Sequence, residues 1–89
     1  MSKEYRKKSV KVEAIRFTGD NVVNVKDFID EEYWGGIDTE VTPNQIVIKT
    51  DEGQMRVSKG DWTIKGVKDE FYPCGPYVFE ETYEQVEEN

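Results

Sequence analysis

Eighty-nine residues are room for one domain with a small core, burying roughly 60–65% of its unfolded surface. With 19 acidic and 12 basic residues the chain carries a formal charge of −7, which argues against a general nucleic-acid binder, because that needs a basic face. There is no histidine and a single cysteine, which removes Ser-His and Cys-His catalytic pairs, histidine and thiolate zinc sites, and an intramolecular disulfide.

The chain opens on a basic arm over residues 1–8, where Lys3, Arg6, Lys7 and Lys8 crowd together, with Lys11 just beyond. No apolar stretch of signal-peptide length follows it, and no window approaches about eighteen apolar residues. A cytoplasmic chain without a membrane span is the expectation. Val10 to Phe17 (VKVEAIRF) alternates over Val10, Val12 and Ala14, and then Ile15 and Phe17 fall on the other face. That predicts a strand buried on both sides at its end, or a bulge near Ala14. The stretch TGDN supplies a turn, with Asp20 or Asn21 as N-cap. Val22, Val25, Phe28 and Ile29 then recur at helical spacing and predict a helix from about Val22 to Glu31.

Tyr33 to Asn44 (YWGGIDTEVTPN) reads as an irregular connection with room for a short strand. Trp34 within it is first a lid over the core and second an exposed anchor. Ile46, Val47 and Ile48 make a β-branched strand. Asp51-Glu52-Gly53 is a hairpin turn into Met55-Arg56-Val57. Lys59-Gly60-Asp61 turns the chain into Trp62–Lys65, and Gly66 to Glu70 turns it into Phe71-Tyr72. This spacing predicts a meander of short antiparallel strands. Pro73 and Pro76 favour extended or turn backbone at Tyr72 and Gly75, and Pro76 opens a single helical turn. Thr82, Glu84 and Val86 alternate with Tyr83 and Gln85, predicting a final strand over 81–86 before a frayed tail at 87–89. The fold class expected is α+β: one small curled antiparallel sheet, partly open and barrel-like, with one main helix packed on it.

Cys74, between Pro73 and Pro76, reads better as a small buried hydrophobe than as a nucleophile. The carboxylate pairs Asp51/Glu52, Asp69/Glu70 and Glu80/Glu81 lie at turns and exposed positions, where acids are solvated and ordinary. Gly60-Asp61 is turn chemistry. No phosphate loop and no calcium-loop spacing is present. The expectation is a non-enzymatic chain with no metal and no cofactor.

The opening YRKKSVKVEAIRFTGDN, and the later IVIKTDEGQMRVSKGDWTIKGVKDEFYPCGPYVFEETYEQV, resemble a family of small phage and prophage proteins, mostly from Gram-positive hosts. Typical members carry a YRKKPVVVEAIQFTG-like start and a GDYIIKGVKGEFYPCKPDIFEKTYE-like end. The likeness covers most of the chain and is weakest over residues 30–44. Ser9 stands where proline is usual, Trp62 where tyrosine is usual, and Gly75 where lysine is usual.

The resemblance implies a phage accessory protein acting inside the host cell and no particular catalysis. The leading expectation is a binder of a host protein, in its specific form an inhibitor of a host defence system such as a CRISPR nuclease. The acidic tail, with Glu80, Glu81 and Glu84, would compete for a site that normally receives nucleic acid. The alternative is sequestration of a small molecule or nucleotide. Trp34, Trp62, Tyr72 and Tyr77 would stack a base, and Arg16, Arg56, Lys65 or Lys68 would hold a phosphate. Direct nucleic-acid binding is not expected, and self-association is left open.

Overall fold

A computed structural model of the chain describes residues 2–4 and 11–86. The basic arm beyond Glu4, Val10 and the tail at 87–89 lie outside the described residues. The coarse class is as expected: antiparallel strands with helices, an α+β arrangement. The finer expectation of one curled, barrel-like sheet is corrected. Among the described residues, six strands form two separate three-stranded sheets, neither of them closed. Nor does one helix dominate, since α1 (Val22–Phe28) and α2 (Pro76–Thr82) are seven residues each.

The first sheet orders β1 (Glu13–Arg16), β5 (Trp62–Lys65) and β6 (Phe71–Cys74), with β5 in the middle. The second orders β2 (Trp34–Asp38), β3 (Gln45–Thr50) and β4 (Gly53–Val57). The meander breaks between β4 and β5. The turn there does form as the sequence indicates: Gly60 sits at φ +96°, and Asp61 Oδ2 accepts the Ser58 N–H at 2.9 Å. However, β5 pairs with β1, placing Arg16 opposite Trp62 and Ala14 opposite Ile64. Phe17 clamps this crossover, with its N–H on the Asp61 carbonyl and its own carbonyl accepting from Gly60.

The YWGGI stretch is a bulged strand rather than a loop. Trp34 faces Ile48 and Ile37 faces Ile46, so the glycines between hold one extra residue. Gly36 has φ +92°, and a Cβ on Gly35 would come within 2.8 Å of Val47. Here glycine is required, once by backbone conformation and once by close approach. The bulge brings β2 over Val47, which explains why three consecutive residues of β3 are buried.

The main core lies between the sheets. Ile46, Ile48 and Val57 from the second sheet meet Phe71 from the first, with Phe17, Val25 of α1 and Ile29 just past its end. Trp34 packs against this core, and Lys26 sits over its ring at 5.8 Å. It is thus the lid that the sequence suggests. Asn21 occupies the N-cap position of α1 without capping it. Its side chain instead accepts from Thr18 N–H and donates to the Arg16 carbonyl, bracing the turn.

Thr63 is 0% exposed, and among the described residues its hydroxyl has no hydrogen-bond partner. A buried hydroxyl without a partner loses its hydration for nothing. Thr63→Val, which keeps the β-branched shape, is therefore expected to stabilise the fold by about 1 kcal/mol, read as a higher urea midpoint. A lower midpoint would contradict it.

Arg56 of β4 reaches across β3 to pair with Asp38 of β2, and Asp38 also accepts the Glu40 N–H at 2.9 Å. The backbone bond first, and then the guanidinium, hold its carboxyl below the ordinary value of 3.8. A depressed pKa contributes stability that is present above the ordinary value and is lost as pH falls below it. Asp38→Asn should flatten this acid limb of the stability curve. An unchanged slope below pH 4 would contradict the assignment (about 4 being the ordinary carboxylate range).

Candidate functional site

The two faces of the first sheet are covered differently. One carries Ile15, Thr63 and Phe71 into the main core. The other carries Trp62, Ile64, Tyr72 and Cys74, by strand alternation and register. Onto this second face α2 docks. Phe79 lies flat on Trp62, with ring centroids 4.0 Å apart and planes 7° from parallel, and Tyr83 stacks on Phe79 at 5.1 Å. Burial first, and the neighbouring Tyr83 side chain second, push the Tyr72 hydroxyl up to about 12.

The helix starts where the sequence places it, at Pro76 after an extended Gly75. The expected final strand is corrected: the helix runs on to Thr82, and residues 83–86 have no regular structure. Phe79 and Tyr83, four apart, form the helix's inward face, and the apolar sheet surface selects that period over alternation.

With Phe79 and Tyr83 held inward, the opposite stripe faces solvent. Tyr77 is 82% exposed and Val78 59% exposed. Glu80 and Glu81 are exposed beside them, and Glu84 is exposed just past the helix end. The spacing of Tyr77, Glu80 and Glu81 puts them on one side of the helix. The structure therefore gathers Tyr77 with the acidic residues. It separates them from Trp34, which packs against the main core, and from Trp62, whose ring face is occupied by Phe79.

A second feature, which the sequence reading missed, lies where the two sheets approach. A cleft of about 380 Å³ is lined by Tyr33, Met55, Phe71 and Tyr72, and by Thr50, Asp51, Glu52 and Glu70. Of the residues expected from sequence to bind, only Tyr72 reaches it, although Asp51, Glu52 and Glu70 belong to carboxylate pairs that the sequence reads as solvated. The acids come from two turns, β3–β4 and β5–β6, each of which reads locally as ordinary turn chemistry. Glu70 is braced, accepting the Lys68 N–H at 2.9 Å.

Cys74 is half-buried, and burial, then the charge of Asp61, push its thiol up. Less thiolate at neutral pH means slower chemistry. Folded protein should react with a thiol reagent at pH 8 more slowly than urea-unfolded protein, the sign opposite to that of an activated nucleophile. Faster reaction when folded would contradict the assignment.

Among the described residues, no cluster of acids or thiols is placed to hold a metal ion, and no helix is long and apolar enough to cross a membrane. Compared with family models, curated proteins and solved structures, the chain finds no match.

Proposed function

We propose that this chain is a non-enzymatic phage accessory protein that binds a basic host protein through the outward side of α2. The observation that carries the reading is the exposure of Tyr77 and Val78 on the side opposite the Trp62–Phe79–Tyr83 stack, with Glu80 and Glu81 beside them. A large amphipathic ring on a rigidly seated element, rimmed by charge, is how interfaces build an anchor. The rim is acidic and the chain's net charge is −7, so the complementary surface is basic, as on a protein that handles nucleic acid. A nuclease of a host defence system is the kind of partner this chemistry fits.

Nucleotide sequestration receives less support. The Trp62 ring face is taken by Phe79, Arg56 is paired with Asp38, and Lys65 lies near Asp69. The cleft's carboxylates would repel a phosphate.

Capture from host lysate on immobilised protein tests the proposal, at rising salt, with the wild type and with the triple variant Tyr77→Ala/Glu80→Gln/Glu81→Gln. A basic nucleic-acid-binding protein that the wild type retains at low salt, and the variant loses by about tenfold or more, supports it. Equal capture by both, or a partner held independently of salt, refutes it. Strong thermal stabilisation by a nucleotide would favour sequestration instead.

A further inference from the structure

The cleft between the sheets has a composition that selects its ligand. Its volume, about 380 Å³, lies at the low end of the roughly 300–1,000 Å³ typical of ligand sites. Three of its lining residues are aromatic, Tyr33, Phe71 and Tyr72, and three are acidic, Asp51, Glu52 and Glu70. Among the described residues, none of these acids enters an ion pair. The local field is negative enough that, after burial, the charges of Glu32, Asp51, Asp30 and Glu70 together raise the Tyr33 hydroxyl.

Each class of occupant can be weighed against that lining. An anion would meet three carboxylates. A neutral apolar group would strip water from them and give nothing back. A cation answers both the carboxylates and the aromatic faces. Between the two protein cations, an ammonium is a compact, strongly hydrated charge. A guanidinium is flat, stacks on a ring, and carries a fork of five N–H donors. Here the acids come from two separate turns, Asp51 and Glu52 from β3–β4 and Glu70 from β5–β6, and share the lining with the rings. A planar fork can bond more than one carboxylate while lying on an aromatic face. The cleft also lies where two edge strands, β4 and β6, approach.

We propose that this cleft receives an arginine side chain of a basic partner protein, lying against Tyr33 and Tyr72 over the buried Phe71 and bonded to Asp51, Glu52 and Glu70. The proposal shares with the preceding section the premise of a basic protein partner, and it uses none of the α2 residues.

The test is an NMR titration of isotope-labelled protein with three short blocked peptides, Gly-Arg-Gly, Gly-Lys-Gly and Gly-citrulline-Gly, the last a neutral copy of the first. The arginine peptide should give saturable shifts at the amides of residues 51, 52 and 70–72. The citrulline peptide should give none, and the lysine peptide should bind more weakly. Asp51→Asn and Glu70→Gln should each weaken the arginine peptide by about tenfold. The Asn variant tests the hairpin wall, and Gln at position 70 retains an acceptor for the Lys68 N–H. The α2 triple variant should bind the peptide as the wild type does. Equal binding of citrulline, tighter binding of lysine, or shifts confined to α2 would overturn the assignment. If the peptide binds while the triple variant captures host protein like the wild type, the α2 reading fails and the cleft stands.

Discussion

Phe71→Ala is expected to cost about 3–5 kcal/mol, the range for a fully buried aromatic ring cut to a methyl group. Phe71 is 2% exposed. It meets Phe28 of α1 edge-on at 5.8 Å and Tyr33 at 5.4 Å. One ring thus ties the first sheet to α1, to the turn before β2 and to the Ile46–Ile48–Val57 wall. A chain of 89 residues has a total stability of about 4–13 kcal/mol, so this single truncation removes a large share of it. Urea denaturation followed by circular dichroism measures the effect, with Phe71→Leu expected to lose much less. A cost below about 1 kcal/mol for the alanine variant would mean that the sheets do not depend on this contact.

Phe79→Ala should act on function first and on stability second. Phe79 is only half-buried, so its truncation should cost about 2 kcal/mol, below the fully buried range. Its local effect is larger. An isolated helix shorter than about 12–15 residues is marginal in water, and α2 has seven. Its helicity comes from lying on Trp62 and Tyr72. Without the Phe79 ring the helix frays, and Tyr77, Glu80 and Glu81 no longer share a side. Amides of residues 79–83 should exchange with solvent far faster, while those of β3 stay protected. Host-protein capture should fall close to background. Phe79→Tyr should retain both protection and capture. Capture at wild-type level from a variant whose α2 amides exchange freely would separate binding from this helix.

The pattern of success in the sequence reading follows from the range over which each signal acts. The β3–β4 hairpin, the Gly60-Asp61 turn, the start of α1 at Val22 and the opening of α2 at Pro76 are local. Each is set by residues within a few positions, and each forms where the sequence places it. The exchange of β4 for β1 as the partner of β5 is not local. Nothing in TIK or EAIR states which distant strand will lie alongside. Likewise, Thr82 to Val86 carries an alternation that predicts a strand, while Phe79 and Tyr83 carry a helical period. The decision between them comes from the apolar face of Trp62 and Tyr72, which exists only once the first sheet has formed. Trp34-Gly35-Gly36 resembles a loop until the close approach of Val47 explains the glycines.

The candidate surfaces divide the same way. Tyr77, Glu80 and Glu81 are four or fewer positions apart, so their grouping is legible once a helix begins at Pro76. Trp62, grouped with them as a binding residue, is the seat on which that helix rests. The cleft was hidden because its carboxylates come from two separate turns and its rings from two segments, β6 and the turn before β2, joined only by packing of the sheets.

The most direct measurement places a photo-crosslinking amino acid at position 77 in protein expressed inside the host cell. A second protein carries the same group at the exposed Val23 of α1. The account predicts one dominant adduct from position 77, with a basic nucleic-acid-binding protein, which is lost when Glu80 and Glu81 are changed to Gln and is missing from position 23. The same adducts from both positions, or none from 77, would contradict a protein that works by presenting α2 to a basic partner.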